Sequence, residues 1–304
     1  MTGFLLLDKP AGMTSFAATA KCRRLFGTKK AGHTGTLDPM ATGVLVAALG
    51  AATRFIDLLP SSEKAYRADF RLGETTDTLD STGTVLTRSP VTCKKEDVAL
   101  ALERFRGEIM QVPPMYSALQ KDGVRLYTLA RQGIDVPREA RPVTIAALEL
   151  IAADEETNTY TIDVRCSAGT YIRALIGDLG AALGCGAVMT ALRRTAANGQ
   201  TIDCCHTFEA IEALETGDAR QKLLIPVEQM LQYDGVTVTE AQTTRFQNGG
   251  ELALDRLRGA DRDGLYCVFA PDGRFLGVGE ARTETGALYV KKNMTKDAAN
   301  ERRA

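Results

Sequence analysis

The residues best suited to chemistry lie in Gly32-His33-Thr34-Gly35-Thr36-Leu37-Asp38-Pro39-Met40-Ala41-Thr42-Gly43-Val44-Leu45, a stretch that mounts one carboxylate, Asp38, in a glycine-bracketed turn. Gly32, Gly35 and Gly43 permit backbone conformations closed to residues with a Cβ, and Pro39 fixes its own φ while pushing Asp38 towards an extended geometry. A carboxylate held still beside His33 reads as a functional site. The same residues also fit a plain helix start, with Asp38 capping free N–H groups and Pro39 at the first helical position. Two further side chains invite the same double reading. Tyr66 falls on the apolar face of an alternating run and suits a core position before a functional one. Arg173 sits in the first turn of a helix, where the macrodipole disfavours a cation, so another interaction must hold it there.

The elements that must position these groups follow from pattern and punctuation. Phe4 to Leu7 reads as a short buried strand closed by the turn Asp8-Lys9-Pro10-Ala11-Gly12, and Thr14 or Ser15 caps a helix running to about Phe26. Lys21, Arg23, Arg24, Lys29 and Lys30 make the approach to His33 basic, on a solvated helix face or a phosphate-contacting one. The apolar run from Val44 is buried, and that segment, helical or otherwise, ends near Thr53-Arg54. Lys64 to Gly73 alternates as a strand with Tyr66, Ala68, Phe70 and Leu72 on one face, and Glu74 to Gly83 is an acidic loop whose spacing does not match a calcium loop. Lys95 to Phe105 is an amphipathic helix, and Gln111 to Pro142 is a Pro- and Gly-punctuated excursion interleaving Tyr116 and Tyr127 with Lys121, Arg125, Arg131, Arg138 and Arg141. That texture suits a mobile loop closing on nucleic acid, or a plain surface excursion. Thr144 to Ile151 pairs with Tyr160 to Cys166; a helix follows from Tyr171 to Leu183, then the strand Met189 to Thr195 and a helix from Phe208 to Leu224. Past Tyr233 short strands and turns, including Asp272-Gly273, mark a small separate β domain ending in a frayed basic tail of Lys291, Lys292, Lys296, Arg302 and Arg303.

Composition sets the outer bounds. The 304 residues suit about two domains, and 44% hydrophobic with 25% charged residues is ordinary for a globular protein. A net charge of -1 carries no global basic footprint, so any contact with nucleic acid must rest on local patches. Seven cysteines without C-x-x-C spacing fit free thiols in a reducing cytoplasm, and Cys204-Cys205-His206 lacks the second ligand pair a metal site needs. The apolar run near the start is too short for a signal peptide, and none approaches the roughly 20 residues of a membrane helix.

Leu6-Leu7-Asp8-Lys9-Pro10, Gly32 to Leu45, Lys64 to Leu72 with Thr76-Asp77-Thr78, Tyr116-Ser117-Ala118-Leu119 and Gly169-Thr170-Tyr171-Ile172-Arg173 together resemble, in order, the bacterial tRNA pseudouridine-55 synthases of the TruB type. The resemblance runs through the whole chain. It implies an α+β fold with a mixed, largely antiparallel central sheet flanked by helices, as a catalytic domain over 1–232 with an RNA-gripping excursion at about 111–142. A small β-rich domain resembling a PUA RNA-binding domain then spans 233–304. The implied activity is isomerisation of one uridine in the T loop of tRNA to pseudouridine by base flipping, in a monomeric cytoplasmic enzyme without cofactor, metal, membrane or protein partner. By resemblance Asp38 is the catalytic aspartate, Tyr66 stacks on the target base and Arg173 pairs with the aspartate. Tyr171 and Leu192 line the uridine pocket, and His33 fills space left by the flipped nucleotide.

Extruding a stacked base costs a few kcal/mol, and an aromatic platform returns roughly 1–3 kcal/mol, which gives Tyr66 a part in the balance. A buried carboxylate tends to protonate, and a facing guanidinium opposes that with charge and two parallel hydrogen bonds, a reason for arginine rather than lysine at 173. Attack by Asp38 on C1′ of the ribose or on C6 of the uracil both need the ionised form, and the base that takes the C5 proton stays open. A non-catalytic RNA-binding or tRNA-folding protein using the same surface is the alternative.

Overall fold

The computed structural model describes residues 1–60, 63–117, 119–121 and 123–294; Ala118 and the tail residues Lys296, Arg302 and Arg303 lie outside them. The chain opens with β1 (Gly3–Lys9), α1 (Ser15–Leu25), β2 (Ala31–His33) and β3 (Thr42–Leu49), followed by 3-10 turns over Gly50–Leu58. β4 (Lys64–Leu72) leads to the small hairpin β5 (Glu74–Thr76) and β6 (Val85–Arg88), then α2 (Lys95–Glu103) and β7 (Gly107–Gln111). The excursion carries β8 (Gln120–Lys121), β9 (Val124–Arg125) and α3 (Leu126–Arg131), after which come β10 (Arg141–Asp154), β11 (Thr159–Cys166), α4 (Ile172–Ala182), β12 (Ala187–Ala197) and β13 (Gln200–Thr201). Three short helices, α5 (Phe208–Glu212), α6 (Gly217–Gln221) and α7 (Val227–Leu231), lead into β14 (Gly235–Thr237), α8 (Glu240–Gln247), β15 (Leu252–Ala253), β16 (Gly264–Phe269), β17 (Phe275–Arg282) and β18 (Ala287–Asn293).

The central sheet runs β1-β3-β12-β4-β11-β10-β7, with β2 on β3 and β13 on β12. Among the described residues its pairings are antiparallel except where β12 meets β3, with Arg193 opposite Thr42 and Arg194 opposite Gly43. This is the mixed, largely antiparallel α+β sheet that the family resemblance implies. Tyr66, Ala68, Phe70 and Leu72 share one face of β4 and pack with Ile162, Val164 and Leu192 under α2 and α4. β3 is covered on both sides, which explains its uninterrupted apolar run. Val44, Val46 and Ala48 face the 3-10 turns and α7, and Leu45, Ala47 and Leu49 face α1 and α5.

Several expectations change. No helix follows Asp38-Pro39: Ala41 N–H donates to the Asp38 carbonyl at 3.1 Å, the chain turns, and β3 begins at Thr42. The helix-cap reading of Asp38 is therefore wrong, because the apolar run beyond it is claimed by two packing faces rather than one. The single helix expected from Phe208 to Leu224 is two, since Thr216 caps a new start by accepting from Ala219 N–H. The C-terminal part is not all strand, because Thr239 and Gln242 form a reciprocal capping box that starts α8. Its five-stranded sheet, β14-β16-β17-β18-β15, has a core of its own, yet Cys267 and Val278 join Phe4, Phe55 and Met230 in an apolar cluster shared with the central sheet.

The parallel contact of β3 with β12 leaves no room for a side chain at residue 43. Gly43 has φ +101°, and a Cβ there would come within 2.2 Å of the Arg194 carbonyl oxygen and 2.8 Å of its nitrogen. Gly43→Ala should lower stability by about 2–4 kcal/mol, read as a reduced urea midpoint with unchanged slope. An unchanged midpoint would show that the two strands are free to separate there.

Candidate active site

The Asp38 turn is pinned on both flanks by groups from elsewhere in the fold. Ser15 Oγ, at the start of α1, accepts from Leu37 N–H at 2.8 Å and donates to the Leu37 carbonyl at 3.1 Å. Gly12 N–H donates to the Pro39 carbonyl at 2.8 Å. Lys9, fully buried, donates from Nζ to the carbonyls of Pro10 at 2.8 Å, Met13 at 2.6 Å and Pro39 at 3.4 Å. Arg194 on β12 donates from Nε to the Val44 carbonyl at 2.7 Å and from Nη2 to the Gly35 carbonyl at 3.1 Å, tying both ends of the turn to one guanidinium. Few backbone alternatives survive such clamping, so the carboxylate has a fixed position.

Asp38 faces Arg173. Arg173 Nε lies 2.9 Å from Asp38 Oδ2 and Nη2 lies 3.0 Å from Oδ1, the two-pronged geometry that a guanidinium provides and an ammonium does not. Two of the three remaining guanidinium protons are also used: Nη1 donates to the Thr78 carbonyl at 2.9 Å and Nη2 to the Tyr116 carbonyl at 2.8 Å. Asp80 Oδ2 stands 3.7 Å from Nη1, and Oδ1 of that carboxylate accepts from Thr78 Oγ1, Thr82 N–H and Thr82 Oγ1. The Arg173 side chain is 5% exposed and that of Asp38 is 32% exposed, so the pair is closed behind and open in front. Burial lifts the Asp38 carboxyl above the usual carboxylate range, Arg173 opposes that rise, and Asp80 adds to it. Burial also pulls the Lys9 ammonium down to about 8, with Asp38 opposing.

The other expected residues surround this pair. Arg194 stands opposite Tyr66 in the β12–β4 register and Leu192 stands opposite Ala68, which puts Tyr66, Leu192 and Arg194 on one face of the sheet. Burial pushes the Tyr66 phenol up while the Arg194 charge pulls it down, and Asp38 pushes it up. Tyr171 caps α4 at its N-terminus, where the buried Gln111 amide clamps its backbone, accepting from Tyr171 N–H at 2.8 Å and donating to its carbonyl at 3.1 Å. His33 ends β2, with Thr19 Oγ1 3.4 Å from Nδ1 and Thr36 Oγ1 3.3 Å from Nε2; burial and then Arg194 depress its pKa. The ring is therefore neutral at neutral pH. Asp38, Arg173, Tyr66, Leu192 and Tyr171 thus lie close together, with His33 on the strand that leads into the turn.

Sequence reasoning missed Lys9, Asp80, Gln111 and Arg194 as members of the site. Lys9 and Asp80 stand within or beside motifs that mark the resemblance, whereas Gln111 and Arg194 act across gaps of 60 and 150 residues, for which a single sequence carries no signal. Among the described residues no cluster of His, Cys, Asp and Glu is arranged to hold a metal. No helix among them is long and apolar enough to cross a membrane.

The model of the TruB family pseudouridylate synthase N-terminal domain matches residues 23–172, and that of the tRNA pseudouridylate synthase B C-terminal domain matches 173–232. The tRNA pseudouridine synthase B of an Azoarcus species is 47% identical over 291 residues, covering 95% of this chain and 94% of the relative. The Pseudomonas fluorescens protein of the same name is 45% identical over 296 residues, covering 96% and 95%. Among solved structures, the crystal structure of a Cbf5-Nop10-Gar1 complex contains a similar chain at TM-score 0.69 and 26% identity, covering 96% of this chain and 85% of that one.

Removing the guanidinium strands two carboxylates. Arg173→Gln should cost about 3 kcal/mol at neutral pH, the low end for breaking a buried pair because Asp38 is part-exposed. In the variant Asp38 has a folded-state pKa raised above its unfolded value, so the penalty is absent at acid pH and grows as pH rises through the folded value. Urea unfolding of parent and variant at about pH 4 and pH 7 checks this; a deficit independent of pH would mean that packing, not charge, had been lost.

Proposed function

This chain belongs to the TruB family of pseudouridine synthases, and from that premise we propose that it converts a uridine in the T loop of tRNA to pseudouridine, using Asp38 as the nucleophile on a flipped base. The observation that carries this reading is the forked Asp38–Arg173 pair, closed behind and open in front, with Tyr66 beside it. The reaction breaks C1′–N1, turns the uracil, joins C1′ to C5, removes the C5 proton and protonates N1. No redox change or net hydrolysis occurs, so the chain needs an ionised carboxylate, a platform, a pocket that excludes water and a base to take the C5 proton.

Each residue has a part in this scheme. Arg173 opposes the effect of burial on Asp38 and so favours its ionised form. The ionised carboxylate attacks C1′ or adds to C6 of the uracil. Tyr66 stacks on the extruded base and offsets the lost stacking. Leu192 and Tyr171 form the apolar walls that admit a planar pyrimidine, and the neutral His33 fills the gap in the loop. The division of labour follows the two sheets: residues 1–232 hold the reacting nucleotide, and 233–304, a PUA-like unit, holds RNA farther from the reaction. The excursion over 111–142 grips the substrate, anchored at its base by the Tyr116 carbonyl on Arg173. The enzyme works as a cytoplasmic monomer.

Asp38→Asn should bind T-arm RNA with near-parental affinity and lose at least a thousandfold in turnover, measured as release of the C5 hydrogen from labelled uridine, with mass mapping of the product locating the modified position. Near-parental turnover would overturn the nucleophile assignment; a modified uridine outside the T loop would overturn the substrate assignment. Arg173→Lys should retain fold and RNA binding and lose most of its turnover, because an ammonium satisfies the charge without the fork; normal turnover would remove the case for a paired guanidinium.

A further inference from the structure

Beside Tyr66 the protein gathers positive charge that it does not balance. Lys64 lies two positions before Tyr66 on β4 and therefore on the same face, about 6.5 Å along the strand. Arg194 is opposite Tyr66 on β12. The residue between the two cations is Gly35: a Cβ there would lie 3.3 Å from Lys64 Nζ and 3.6 Å from Arg194 Nη1. A side chain at 35 would crowd both nitrogens, and glycine lets them stand against the turn. Arg194 is 1% exposed, and its Nη1 is buried without a hydrogen-bond partner among the described residues. Among those residues neither Lys64 nor Arg194 has a carboxylate within ion-pair distance, since Asp38 is engaged by Arg173 and Asp8 by Arg193. Burial and the neighbouring guanidinium both depress the Lys64 pKa, as expected for a cation missing its counter-ion.

Such an arrangement is unfavourable in the free protein and is relieved by an anion. A base stacked on Tyr66 carries one across its ribose, at a span comparable with the Tyr66–Lys64 separation. We infer that Lys64, backed by Arg194 across Gly35, is the contact for a backbone phosphate flanking the flipped nucleotide. The inference rests on the proposed stacking of that nucleotide on Tyr66. The contact does not read sequence; it fixes where the ribose sits relative to the Asp38 carboxylate, since a held base and a held phosphate leave the sugar little freedom.

The test measures binding of the full chain to a T-arm stem-loop over a salt series. Three RNAs are used, one natural and two in which one or the other linkage flanking the target uridine is replaced by an uncharged methylphosphonate. Lys64→Ala should weaken binding and reduce the slope of log affinity against log salt by about 0.7, while Lys64→Arg should keep the parental slope. One methylphosphonate should weaken the parent to the level of Lys64→Ala and cost that variant nothing further. A parental slope in Lys64→Ala, or an equal methylphosphonate cost in parent and variant at both linkages, would overturn the inference, as would equal losses in the Ala and Arg variants. Failure of the parent to modify the natural RNA would instead count against the proposed function, and the two failures are read from different measurements.

Discussion

The pairing of Asp38 with Arg173 is the constraint around which the rest is arranged. A part-buried carboxylate tends to protonate unless something opposes it, and here the opposition is a guanidinium that also donates to the carbonyls of Thr78 and Tyr116. Arginine can do this because its donors are fixed in one plane; it binds the turn of Asp38, the acidic loop and the start of the excursion simultaneously. Asp80 supplies a second carboxylate on the far side of the same guanidinium, so the charge of Arg173 is shared. The cation that seemed misplaced in the first turn of a helix has a sufficient reason to be there.

Around this pair the fold provides rigidity on one side and access on the other. Ser15, Gly12, Lys9 and Arg194 hold the carbonyls and amides on either side of Asp38; all four lie outside the turn's own sequence neighbourhood, three of them in separate elements: β1, α1 and β12. The parallel contact of β12 with β3 brings Arg194 to the turn, and only a glycine at 43 allows that approach. A net charge of -1 conceals this local concentration of cations, which is why whole-chain charge was a poor guide to the partner.

Much of this was legible in the sequence. The alternation of Tyr66, Ala68, Phe70 and Leu72 gave β4 and its buried face, Thr14 marked the start of α1, and the ordered motifs joined Asp38 to Arg173 across 135 residues. What local pattern missed has a common physical cause. Asp38-Pro39 has the chemistry of a helix start, but burial of β3 on both faces overrides it. Leu214-Glu215-Thr216 looks like mid-helix until Thr216 finds a backbone donor of its own. Arg194 and Gln111 are ordinary polar residues in sequence and become structural only through the strand register that buries them.

The claim on which everything else depends is that Asp38 is ionised in the folded protein because Arg173 faces it. Carbon-13 NMR of aspartate-labelled protein, with the Asp38 signal assigned by its loss in Asp38→Asn, measures that state directly. The expected result is a carboxylate shift at neutral pH in the parent and a titration moved to higher pH in Arg173→Gln, as the opposition to burial disappears. A carboxylic-acid shift at neutral pH in the parent, or the same titration with and without the guanidinium, would contradict it.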